Sequence, residues 1–277
     1  MNFKGLIPVT KDRGTTKIKE ATHVILTIDI GNSNITLGGF EGERLLFAVN
    51  LSTDTGKTAD EYASAILGVL AVRGIVGKTV RGAIIASVVP PLNTVIKEAV
   101  RLIWNVEPLT VGPGVKTGLN IHCETPSSVG ADLICACVAV HHLYKSPALI
   151  VDMGTATKMT VLNAKGAFSG VSILPGVLMG LHSLWEHTAQ LPKVALESPK
   201  TVIGKNTADS IRSGIIFGNA AMIDGMIDRI NEEYKTELAV YATGGLAHMI
   251  VPHCKHVIQT DENLILKGLS IIYNKNH

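Results

Sequence analysis

The sequence predicts an α/β protein of two related domains facing one cleft, and three observations carry that prediction. The first is the stretch Leu149–Leu162, LIVDMGTATKMTVL. An apolar run with the composition of a buried strand ends at Val151, and Asp152 stands where the strand should end. Gly154, Thr155 and Thr157 follow, and apolar and polar residues then alternate through Met159 and Val161. The pattern is strand, tight turn, strand. The second is its counterpart Leu26–Phe40, LTIDIGNSNITLGGF, where Asp29, Gly31, Asn32, Ser33 and Thr36 take similar positions. The third is size: 277 residues, 46% hydrophobic and 17% charged, suffice for two domains of about 100–150 residues with a large core.

Such a turn suits phosphate binding. Glycine lets the backbone approach an anion, turn N–H groups and hydroxyls donate to phosphate oxygens, and the carboxylate holds a cation between them. One Asp-x-Gly turn is weak evidence, because similar turns close ordinary hairpins. Two of them, each behind an apolar strand and followed by Ser or Thr, point to a shared anion site.

Composition excludes several classes. Net charge is +2 without a basic block and aromatics are 4%, so no nucleic-acid surface is expected. Mean hydropathy is +0.30, which leaves apolar surface for an oligomer. Cys123, Cys135, Cys137 and Cys254 form no CxxC pair and read as reduced thiols of a cytoplasmic protein. The ten histidines include no HExxH pattern, so they suggest no metal site. No 18-residue apolar window implies a membrane span, and the N-terminus lacks a signal core. Residues 1–22 read as a mobile lead-in before a first strand at about His23.

In order, the first hairpin is followed by a strand at Leu45–Thr53 and a polar loop. Thr58 and Glu61 form a capping box opening an amphipathic helix to about Arg73, with Tyr62, Ile66, Leu67 and Leu70 on one face. The GKT triplets Gly56–Thr58 and Gly77–Thr79 lack the upstream glycine of a P-loop. Gly82–Leu92 reads as a buried strand ending in a double proline, then a short helix Asn93–Ile103 and a strand near Leu109. After the loop Gly112–Gly118, Ser127 or Ser128 can cap a helix to about Tyr144. Asp132 then lies in the first turns, ordinarily a helix-dipole partner.

The second half begins at about Ser146. After the central hairpin, Gly170, Pro175 and Gly176 punctuate a strand and a helix ending in the loop His187–Pro192. Thr207 is the expected N-cap of a helix whose stripe Ile211, Ile215, Met222, Ile223, Met226, Ile227 and Ile230 reads as core or dimer surface. Glu237–Ala247 is a strand ending in Thr243-Gly244-Gly245, either a plain turn or bare backbone for a flat ring or ribose. A helix Asn263–Tyr273 ends the chain.

Taken together, DIGNSNIT at 29–36, VGAD at 129–132, DMGTAT at 152–157, ILPG at 173–176, IGKNT at 203–207, SG at 213–214 and TGGL at 243–246 resemble the type III pantothenate kinases. The resemblance runs from about Val24 to Tyr273. It implies two actin-like ATPase (ribonuclease-H-like) domains, about 23–145 and 146–277, with mixed sheets flanked by helices and a cleft between. It also implies ATP-dependent phosphorylation of pantothenate, the first step of coenzyme A synthesis, with Mg²⁺ and K⁺ (or NH₄⁺) in a homodimer.

By this resemblance Asp29, Ile30, Gly31, Asn32, Ser33, Asn34, Ile35 and Thr36 form the first phosphate loop, Asp29 also holding Mg²⁺. Asp132 is the general base. Gly130, Ala131 and the Leu133 position line pantothenate. Asp152 binds the monovalent cation, Thr155, Gly244 and Gly245 contact ATP, and Thr207 contacts pantothenate together with the partner subunit.

The chain departs from the family pattern in three places. Leu133 replaces an arginine that would pair with the pantothenate carboxylate. Cys123 stands where tyrosine is frequent. Lys158 follows Thr157 in place of a second threonine. Lys158 ordinarily reads as an outward-facing strand lysine; alternatively it reaches the phosphates or stands in for the activating cation. Leu133 leaves open two other functions: a nucleotide-binding regulatory relative, or a kinase for another small hydroxylated acceptor.

Overall fold

The computed structural model describes residues 24–75 and 79–277. The lead-in at 1–22, His23, and Gly77 and Lys78 of the second GKT triplet lie outside these residues.

The first sheet is built from β1 (Val24–Ile30), β2 (Asn34–Glu41), β3 (Arg44–Ser52), β4 (Val80–Ser87) and β5 (Leu109–Thr110), in the order β3-β2-β1-β4-β5. The second contains β6 (Ala148–Met153), β7 (Ala156–Leu162), β8 (Phe168–Pro175), β9 (Ala239–Thr243) and β10 (Ile258–Thr260), in the order β10-β9-β6-β7-β8. Read from the opposite edge, the second sheet repeats the first. In each, the strand ending in Asp-x-Gly pairs antiparallel with the next strand and parallel with a later one. The two turns therefore sit at corresponding ends of matching central strands.

The helices are α1 (Ala59–Val72), α2 (Leu92–Trp104), α3 (Ala131–Leu143), α4 (Val177–Glu186), α5 (Thr207–Tyr234), α6 (Ala247–Ile250) and α7 (Leu264–Asn276). Apolar residues gather in three layers. Leu26, Ile28, Tyr62, Ile66 and Ile96 join the first sheet to α1 and α2. Val151, Met159, Ile211, Ile215 and Ile223 join the second sheet to α4 and α5. Between the sheets, Ala136, Val140, Leu266 and Leu269 of α3 and α7 meet Phe40, Ile84, Ile150 and Phe168. Close approach of these two helices depends on Gly268, where a Cβ would lie 1.9 Å from the Cys135 carbonyl oxygen. The C-terminal helix thus crosses back to pack along α3 and against β1, β2 and β4. Tyr144, at the end of α3, donates to Asp261 at 2.7 Å and packs against Tyr241 with ring centroids 4.7 Å apart and planes tilted by 31°.

Several local expectations hold. The Thr58–Glu61 capping box forms, with the Thr58 N–H donating to Glu61 Oε2 at 2.8 Å. Others need correction. Leu67 is half-exposed, so the buried stripe of α1 is Tyr62, Ile66 and Leu70. Neither Ser127 nor Ser128 caps α3: Pro126–Ser128 makes a 3₁₀ turn, Ser128 donates to the Thr125 carbonyl, and Gly130 is the cap. Asn206, not Thr207, caps α5, its side chain accepting from the Asp209 N–H at 2.9 Å. Asn206 has the extended backbone of an N-cap, and Asn is preferred over Thr at that position.

Candidate active site

The first turn is held from three sides. Gly31 N–H donates to the Asn34 carbonyl at 2.9 Å and closes the loop. Thr53, at the end of the neighbouring strand, donates its hydroxyl to the Gly31 carbonyl at 2.6 Å and its N–H to the Ser33 carbonyl at 3.0 Å. Asn32, Ser33 and Asn34 are exposed at the tip, while Ile30 and Ile35 anchor its base in the core.

The second turn faces the first. Ser33 and Thr155 hydroxyls lie 2.8 Å apart across the cleft. The backbone at Thr155 is packed against Gly176, where a Cβ would meet the Thr155 carbonyl oxygen at 1.9 Å, so the ILPG segment braces this turn. The Gly244 turn lies beside the end of β6: Gly244 has φ +93°, and a Cβ there would fall 2.5 Å from the Met153 backbone. Thr157 is buried, and its hydroxyl has no hydrogen-bond partner among the described residues. A buried orphan of this kind calls for a ligand or water.

Asp132 enters from α3. It lies in the first turn, 8% exposed, with its Oδ1 accepting the Leu133 N–H at 2.9 Å. Its Oδ2 lies 2.5 Å from Lys158 Nζ, and the same ammonium lies 2.7 Å from Asp152 Oδ2. Lys158 is therefore not an outward-facing strand lysine. The register explains why: Asp152 and Lys158 are cross-strand partners in β6–β7, so their side chains share a face of the sheet.

Electrostatics tie these groups to Asp29. Burial pushes the Asp29 carboxyl up to about 7, and the nearby charges of Asp132 and Asp152 add to the rise, while Lys158 opposes it. Burial also raises Asp152; Lys158 offsets part of that effect and Asp132 adds to it. For Lys158 itself burial disfavours the charged form, but the Asp152 and Asp132 carboxylates outweigh it and hold the ammonium above the usual lysine range. Three acids and one cation thus lie within interaction distance of one another.

The other expected residues are more dispersed. Gly130 and Ala131 form the entry to α3, and a Cβ at Gly130 would fall 2.5 Å from Asp132 Oδ1. Leu133 is buried, 8% exposed. Thr207 is exposed at the first position of α5, beside the exposed Val202 and Ile203. Sequence reasoning missed Thr53, which has no local signal because it acts from a neighbouring strand. The Lys158 pairing did have one: around a hairpin tip at Thr155, residues 152 and 158 stand at equal distances.

Comparison with known proteins identifies the family. The family model described as type III pantothenate kinase matches residues 25–229. A type III pantothenate kinase of an Exiguobacterium species is 41% identical over 253 residues, covering 91% of this chain and 99% of that protein. One from Brevibacillus brevis is also 41% identical, covering 91% of this chain and 99% of that protein. Among solved structures, the ethanolamine utilization protein EutJ of Carboxydothermus hydrogenoformans aligns over 89% of both chains at TM-score 0.53 and 14% identity, a likeness of fold alone. The fold is that of the actin-like ATPases, and the chain belongs to the type III pantothenate kinase family.

Proposed function

We propose that this chain transfers the γ-phosphoryl group of ATP to the primary hydroxyl of pantothenate. The observation that carries the reading is the convergence of Asp29, Asp132 and Asp152 beneath two turns bridged by Ser33 and Thr155. The hydroxyl oxygen forms a bond to the γ-phosphorus as the bridging bond to ADP breaks, and the hydroxyl proton passes to Asp132. Each Asp132 oxygen already accepts one hydrogen bond and keeps a lone pair free for the substrate. In a loose phosphoryl-transfer transition state the base acts mainly by orienting the hydroxyl.

The first turn offers the tip amides of Asn32 and Ser33 and the hydroxyls of Ser33 and Thr36 to the phosphates, and Thr155, the orphan Thr157 hydroxyl and the Gly244–Gly245 turn extend the nucleotide site. Asp29 suits Mg²⁺, a hard cation that uses one or two carboxylates plus phosphates and water. Bound with ATP, Mg²⁺ would neutralise charge on the β- and γ-oxygens. Asp152 fits K⁺ poorly, because its Oδ2 already carries the Lys158 ammonium.

A homodimer is supported by the exposed apolar side chains of the second domain. Ile173 on the edge strand β8 is 68% exposed, Met179 on α4 is half-exposed, and Ile203 near Thr207 is 80% exposed. Such a face suits a partner subunit adjoining Thr207. Four free cysteines suit a reducing compartment, hence the cytoplasm. Among the described residues no helix is long and apolar enough to cross a membrane.

Leu133 favours a second reading, a related acceptor lacking a carboxylate. A coupled ADP-release assay decides: release that requires pantothenate supports the first reading, and release only with another hydroxylated acceptor supports the second.

A further inference from the structure

Lys158 is held by two carboxylates from different parts of the chain, one at the end of β6 and one at the start of α3. Its side chain is 19% exposed, so the ammonium is not a solvated surface charge. An ammonium carries three N–H donors. Two are directed at Asp152 and Asp132, which leaves one for an oxygen in the cleft. A free monovalent ion on Asp152 Oδ2 would have to displace this ammonium or stand against its charge. In the matching hairpin of the first domain, the cross-strand partner of Asp29 is Thr36, a neutral residue. The cation is thus a feature of the second turn alone.

We propose that Lys158 is the built-in monovalent cation of this active site, so that phosphoryl transfer by this chain needs neither K⁺ nor NH₄⁺. The proposal rests on the kinase reading for its catalytic consequence, but the occupancy of the Asp152 site by Lys158 can be tested without turnover. The Nζ neutralises one of the two acid charges it touches, leaving Asp29 and one further negative charge for the nucleotide-bound metal. It also ties Asp132 to the second domain, fixing the carboxylate relative to the phosphate turn.

The test uses the full chain dialysed free of K⁺ and NH₄⁺, with choline chloride holding ionic strength constant. ADP release with ATP, Mg²⁺ and pantothenate is followed as KCl replaces choline. The proposal expects a change within about twofold for the unsubstituted protein. It expects Lys158→Thr to lose roughly tenfold or more in choline and to recover in KCl or NH₄Cl. In parallel, melting temperatures are recorded without nucleotide or pantothenate. That of the unsubstituted protein should be the same in KCl and choline, and that of Lys158→Thr should rise in KCl. Roughly tenfold activation of the unsubstituted protein by K⁺, or its K⁺-specific thermal stabilisation, overturns the proposal. Failure of Lys158→Thr to respond to K⁺ in both assays also overturns it. If no ADP is released with pantothenate in any salt, the kinase reading fails while the melting curves still decide the role of Lys158. The arms on the unsubstituted protein need no variant to fold.

Discussion

Ser33 and Thr155, 122 residues apart in the sequence, bring their hydroxyls to 2.8 Å across the cleft. This contact joins the tip of one Asp-x-Gly turn to the tip of the other. Both side chains are on the accessible side of their turns, so either hydroxyl can rotate from its neighbour to a phosphate oxygen.

Ser33→Ala and Thr155→Val are therefore expected to weaken nucleotide binding rather than folding. A neutral hydrogen bond contributes roughly 1 kcal/mol, so each change should raise the ATP dissociation constant about fivefold. Calorimetric titration with a non-hydrolysable ATP analogue measures this, with melting curves as the control for stability.

The raised Asp29 carboxyl gives a pH dependence with a definite sign. Its folded value of about 7 lies above the unfolded value near 4, so its contribution favours folding at low pH and is lost as pH rises through 7. Asp152 is shifted in the same direction. The ligand-free protein should melt at a higher temperature at pH 6 than at pH 8, and Asp29→Asn should flatten the difference. Mg²⁺ binding needs the ionised carboxylate, so the affinity for Mg²⁺ and nucleotide together should fall below pH 7. Calorimetry at the two pH values checks both signs.

Lys158→Met removes the cation and leaves Asp132 and Asp152 facing each other. Breaking a buried ion pair from one side costs about 3 kcal/mol. The loss should be larger at pH 8 than at pH 6, because the neighbouring Asp29 carboxyl, raised to about 7, is protonated at the lower pH and adds less repulsion. Urea denaturation at the two pH values measures it.

Much of this arrangement was legible in the sequence. The alternation around Asp29 and Asp152 gave both hairpins, and Gly154 and Gly31 marked where the backbone had to turn. The Thr58–Glu61 box is local and was readable for that reason. What escaped depends on distant chain. Thr53 reaches the first turn only because β3 pairs beside β2, and α7 returns to α3 through a fit that Gly268 permits. Ser128 carries the chemistry of a cap, but Pro126 favours a separate 3₁₀ turn that moves the start of α3 to Gly130. Lys158 is a different case: alternation along β7 alone reads it as a surface residue, and only counting outward from the hairpin tip at Thr155 pairs it with Asp152.

Leu133→Arg tests the acceptor side. A charge-assisted contact to the pantothenate carboxylate is worth roughly 1.5–3 kcal/mol, so the pantothenate KM should fall about tenfold with kcat little changed. Leu133 is buried, so thermal melting must accompany the kinetics. An unchanged KM in a folded variant shows that the acid group is bound elsewhere.

The most direct test of the account is pantothenate-dependent ADP release by the unsubstituted protein and by Asp132→Asn under the same conditions. A positioned general base contributes about a hundredfold or more, so the account predicts release that requires pantothenate and a loss of at least that size in the variant. Undiminished release by Asp132→Asn, or no release with pantothenate from the unsubstituted protein, contradicts it.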